Sequence, residues 1–89
     1  MMTEIRSSSN KTYKYIKSLQ TKKARMQSGS YLVEGIKSVE EAFDAGVTAE
    51  LLAFSSAAAR EVEIGEIISS AQERGVPVYE VADSLFVPL

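Results

Sequence analysis

The 89-residue chain has no cysteine and no histidine. Without cysteine there is no disulfide, no thiolate metal site and no cysteine nucleophile. Without histidine the chain also lacks the commonest general base, the commonest metal ligand and the usual partner of a catalytic serine. Long apolar runs are missing too: nothing approaches the roughly 20 residues of a membrane span, and the Met1 end has no apolar signal core. These absences point away from an autonomous enzyme and from a membrane protein, and they lead to the expectation of a cytoplasmic location. The composition, 45% hydrophobic with 25% charged residues, is that of an ordinary folded domain rather than a disordered one. Its length suits a single modest core and is too short for two.

The net charge of -2 conceals a strong asymmetry. Up to Lys37, eight bases (Arg6, Lys11, Lys14, Lys17, Lys22, Lys23, Arg25 and Lys37) face two acids, Glu4 and Glu34. Beyond Lys37, ten acids face only Arg60 and Arg74. A basic arm on an acidic body suits a polyanionic partner. The alternative is that the lysines only solvate a helix, and charge alone leaves the two readings level.

The centre of the chain is Tyr31-Leu32-Val33-Glu34-Gly35-Ile36-Lys37. Its first residues have the aromatic and β-branched character of a buried strand, and Gly35 supplies the freedom of a strand-to-helix turn. Such a turn aims the free N–H groups of a helix N-terminus outward, where they suit phosphate, and Lys37 adds a full charge beside them.

Around this centre the pattern alternates. Met1 to Ser9 reads as an extended lead-in, and Ser9 or Asn10 is placed to cap a helix. In that helix Tyr13, Ile16 and Leu19 share one arc, while Lys11, Lys14, Lys22 and, at the edge, Lys17 share the other. Tyr15 lies at the border, where a half-buried packing role competes with stacking on an unpaired base. Gln20 to Ser30 reads as a frayed turn and a loop, in which the planar fork of Arg25 could grip a phosphate or carboxylate. A second helix carries Ile36, Val39, Ala42 and Phe43 and stops at Gly46. Glu50 to Phe54 forms a strand. Ile64, Ile67, Ile68 and Ala71 mark a further helix closed by Gly75, and Val76 to Val81 alternates as a strand. Asp83 is placed to cap a last short helix with Leu85 and Phe86. Strands separated by helices imply crossovers and a mostly parallel sheet with helices on both faces. Three strands at Tyr31 to Glu34, Glu50 to Phe54 and Val76 to Val81 make a small sheet, which a further strand after Leu89 would complete.

Several segments in fixed order carry a family resemblance: Ile5-Arg6-Ser7-Ser8-Ser9-Asn10, Lys14-Tyr15-Ile16-Lys17-Ser18-Leu19, Lys22-Lys23-Ala24-Arg25, Tyr31-Leu32-Val33-Glu34-Gly35 with Glu41-Ala42 and Ala45-Gly46, Gly75-Val76-Pro77-Val78-Tyr79-Glu80-Val81 and Asp83-Ser84-Leu85-Phe86. Together they resemble the N-terminal substrate-binding domain of the SpoU or TrmH family of RNA ribose 2'-O-methyltransferases.

The resemblance implies a small three-layer α/β sandwich similar to L30e and L7Ae. It would be one domain over residues 1–89, with a basic N-terminal helix over 10–25 and an α/β body over 30–89. It implies an RNA-facing surface drawn from Asn10, Lys11, Lys14, Tyr15, Lys22, Lys23, Arg25, Glu34, Gly35 and Lys37, with rRNA or tRNA as partner. Glu34 fits a hydrogen-bond acceptor for the backbone or Arg25 better than an RNA contact. S-adenosylmethionine, the catalytic arginine and any homodimer contact would belong to a C-terminal knotted domain that these residues do not contain, so no cofactor is expected here. Two other readings stand beside this one. One is a protein-interaction or dimerisation module. The other is a free-standing L7Ae-like RNA binder, although Ile36-Lys37 follows Glu34-Gly35 and the Asn-Glu pair usual in such proteins is missing.

Overall fold

The computed structural model describes residues 2–89. It has three strands, β1 (Met2–Ile5), β2 (Leu52–Ser55) and β3 (Val78–Val81). There are five helices: α1 (Lys11–Ser18), α2 (Lys22–Ser28), α3 (Ile36–Asp44), α4 (Val62–Glu73) and α5 (Asp83–Phe86). A single 3-10 turn, Ala58–Arg60, precedes α4. The sheet order is β1-β3-β2, and both pairings are parallel. The chain is therefore an α/β sandwich with a parallel sheet covered on both faces, of the L30e/L7Ae-like type. Among the described residues no helix is long and apolar enough to cross a membrane.

Register explains how two cores form. Val78 stands opposite Leu52, Tyr79 opposite Thr3 and Ala53, and Val81 opposite Ile5. Because side chains alternate along a strand, these rows face opposite ways. Val78 and Phe54 meet Phe43 of α3 and Ile64, Ile67 and Ala71 of α4, with Leu52 packed against the cluster. On the other face Ile5 and Val81, both 0% exposed, meet Tyr13 of α1, with Leu85 and Phe86 of α5 packed beside them. Burying each of these aliphatic side chains stabilises the fold by roughly 1.5–3 kcal/mol. Arg74 joins α4 to α3 on the first face: its guanidinium lies 4.9 Å from the Phe43 ring centroid, and Nη1 donates to the Phe43 carbonyl oxygen at 3.1 Å.

One expected strand is absent, and a strand that the sequence did not announce takes its place in the sheet. The described part of the lead-in, Met2–Ile5, is a strand, although only Ile5 of its four residues is buried. One inward residue gives no alternation to read, so its pairing comes from the Ile5–Val81 contact and not from local pattern. Tyr31 to Glu34 forms no strand, and Tyr31 is 63% exposed. Three consecutive apolar residues have strand composition but too little pattern to fix a register, so pairing depends on tertiary context. Further along, the second strand starts at Leu52 instead of Glu50, and the third starts at Val78, just after Pro77, which has no N–H to donate.

The basic arm is also two helices instead of one over 10–25. It turns at Leu19-Gln20-Thr21, where Thr21 Oγ1 accepts from the Ala24 N–H at 3.2 Å and starts α2. Gln20 to Ser30 is thus mostly ordered helix, closed at Gly29 with φ 73. Ala82, rather than Asp83, occupies the N-cap of α5. The Asp83 carboxylate instead accepts from the Ala57 N–H at 2.9 Å, tying α5 to the loop after β2.

Candidate functional site

Helix α1 presents the basic surface because its other side is anchored. Asn10 Oδ1 accepts from the Tyr13 N–H at 3.0 Å and caps the helix. Tyr13, Ile16 and Leu19 are buried, and the Tyr13 hydroxyl donates to the Leu85 carbonyl at 2.8 Å. Residues three apart lie near one another on a helix, so Lys11, Lys14 and Lys17 form a row on the exposed side. Lys17 lay outside the residues carried over from the family. Its i, i+3 spacing from Lys14 was the signal that places it in the same row.

Lys22 and Lys23 occupy the first turn of α2, and Lys37 the first turn of α3; all three are exposed. Among the described residues the ion pair found is Arg6 with Glu4, at 2.7 Å. Lys11, Lys14, Lys17, Lys22, Lys23 and Lys37 therefore have no carboxylate within ion-pairing distance. Retaining six like charges without counter-ions repels and destabilises the compact state slightly, and a polyanion would relieve that cost.

Gly35 starts α3 at φ 93, a left-handed conformation that favours glycine. No side chain caps this helix, and its first turn contains no acid. The Val39 N–H bonds to the Gly35 carbonyl, while the N–H groups of Ile36, Lys37 and Ser38 take no protein acceptor among the described residues. That arrangement favours an anion. Glu34 is exposed beside it and makes no hydrogen bond to Arg25 or to the backbone among the described residues.

Three candidate residues also have structural jobs. Asn10 is the cap of α1. The Tyr15 hydroxyl donates to the Glu50 carboxylate, 3.0 Å from each oxygen, which ties α1 to the approach to β2. Arg25 Nη1 donates to the carbonyls of Leu19 and Gln20, each at 3.0 Å. It satisfies carbonyls at the end of α1 and sets the angle between the two basic helices. Composition gave no hint of this, because the acceptors are backbone atoms. Replacing Arg25 with alanine is expected to cost about 1–2 kcal/mol, because the two bonds have a charged donor but are partly exposed. Urea denaturation checks this, and a loss under about 0.5 kcal/mol would rule out the helix-corner role.

Among the described residues there is no group of three or more Asp or Glu side chains placed to hold a metal ion. A concavity of about 660 Å³ is lined chiefly by apolar residues between the 29–36 segment and β2.

Comparison with known proteins supplies the context for this surface. No curated protein sequence matches the chain significantly. Among solved structures, the crystal structure of an rRNA methyltransferase from Sinorhizobium meliloti superposes with a TM-score of 0.74 at 26% sequence identity. The alignment covers 96% of this chain and 30% of that one, so the present chain spans about a third of its structural relative. The family model for the MRM3-like substrate binding domain matches residues 10–89, from the cap of α1 through the last residue of the sequence. With that match and the shared fold, the chain belongs to the MRM3-like substrate binding domain family, of SpoU–TrmH type.

Proposed function

We propose that this domain recognises structured RNA, rRNA or tRNA, for a 2'-O-ribose methyltransferase. The carrying observation is the set of six exposed lysines on α1, α2 and the start of α3, none with a carboxylate partner. Phosphates supply the missing counter-charge, and the uncapped start of α3 adds backbone donors beside Lys37. The relative's description as an rRNA methyltransferase supports the same reading. The domain's own residues bind and orient the RNA. Methyl transfer, S-adenosylmethionine binding and any dimer contact belong to a C-terminal catalytic domain. In that division of labour, phosphate contacts fix register and carry little sequence information.

The test is binding of a structured rRNA fragment by the 89-residue chain across a salt series. Six phosphate contacts, one for each lysine, lower affinity by roughly three orders of magnitude between about 50 and 200 mM salt. A salt-independent affinity, or no binding at about 50 mM salt, would overturn the proposal.

A further inference from the structure

Tyr15 is held at both ends. Its backbone belongs to α1, and its hydroxyl donates to Glu50 in the approach to β2, 3.0 Å from each carboxylate oxygen. Glu50 is exposed, and among the described residues it has no lysine within ion-pairing distance, although Lys11 and Lys14 share a helix with Tyr15. The carboxylate therefore serves the tyrosine and not the row of charges. A tyrosine has only two side-chain torsions, and fixing the hydroxyl removes most of the freedom they allow. The half-buried ring lines the concavity of about 660 Å³, so part of it stays open to a planar group. Lys11, one helical turn before it, is exposed.

We infer that Tyr15 is a stacking platform for an unpaired RNA base, and that Glu50 is the positioning residue that holds the ring in place for it. Resting on the RNA reading, this site narrows it: the substrate class becomes RNA with an unpaired base next to the phosphates that the lysines take. Aromatic rings stack on splayed-out bases, whereas a base inside a duplex has no free face to offer. The charge at this point also favours a base over a phosphate. The Glu50 carboxylate beside the tip of the ring repels a phosphate but not a neutral base. Holding the ring beforehand lowers the ordering cost of stacking. Every base has a π-face, so the contact selects for single-strandedness and not for sequence. Phosphate contacts by the lysines make no such selection.

The test compares three probes with the 89-residue chain: an RNA hairpin with an unpaired loop, the same hairpin with abasic loop nucleotides, and the blunt duplex of its stem. The wild type is expected to bind the first about tenfold more tightly than the second, within the range for one base on one aromatic ring. Tyr15→Leu should abolish that ratio by weakening the first probe alone. Glu50→Ala frees the ring and removes a negative charge, so it should lower the ratio severalfold while slightly tightening the abasic and duplex probes. Glu50→Gln keeps an acceptor for the hydroxyl and should restore the ratio. Each ratio is taken within one protein, so a loss of stability shared by all probes cancels. A wild-type ratio below about twofold, with salt-dependent binding of all three probes, would overturn the stacking site and leave the RNA reading in place. Equal weakening of all three probes by Tyr15→Leu would also overturn it, by giving Tyr15 a structural role only. Absence of binding to every probe would overturn both.

Discussion

Replacing Tyr13 with alanine is expected to cost about 3–5 kcal/mol, the range for deleting a large buried aromatic side chain. Tyr13 is 3% exposed, packs with Ile5 and Val81, and holds the Leu85 carbonyl through its hydroxyl. It thus joins α1, the outer strand, the central strand and α5 in one contact. Domains of this size are stable by only about 5–15 kcal/mol, so the variant should lie near the edge of folding, with a melting temperature lower by ~15 °C or more. Tyr13→Phe keeps the ring and loses only the hydroxyl, for about 1 kcal/mol. Urea denaturation followed by circular dichroism separates the two. A loss below about 1 kcal/mol for Tyr13→Ala would mean that α1 is not anchored through this residue.

The same residue shows why so much of the fold could be read from the sequence. Tyr13, Ile16 and Leu19 recur at helical spacing and are all buried, while the lysines between them are exposed. Helices α3 and α4 were legible for the same reason, with Gly46 and Gly75 adopting the positive φ that follows a helix end. Legibility failed where tertiary contact decides. The first strand buries one residue of four and exists because Val81 lies opposite Ile5. Tyr31 to Val33 has strand composition but no partner strand. For the candidate site, charge could be read but partnership could not. The lysines of the basic arm are identified by count and spacing. The bonds of Arg25 to the Leu19 and Gln20 carbonyls, and of Tyr15 to Glu50, join positions whose proximity is a product of folding. Asn10 was expected both as a cap and as an RNA-facing residue, and its capping bond accounts for the first role.

The lysine pair of α2 gives the most direct measure of RNA recognition. Lys22 and Lys23 are exposed, unpaired and outside both cores, so Lys22→Ala/Lys23→Ala should change stability by no more than about 0.5–1 kcal/mol. Binding should respond strongly. Each lost phosphate contact flattens the slope of log affinity against log salt by ~0.7–0.9, so the double variant should lose about 1.4–1.8 units and weaken binding to all structured RNAs alike. Lys37→Ala should lose about half of that. Arg25→Ala should weaken binding more than Lys17→Ala, because it removes a charge and also releases the corner that orients α2 against α1. Its stability loss distinguishes that variant from the lysine pair, which leaves the fold in place. Glu63→Gln, on the first turn of acidic α4, serves as the control and should leave the slope unchanged. Wild-type affinity and slope in the lysine double variant, with the fold intact, would exclude α2 from the RNA surface and leave its lysines a purely solvating role.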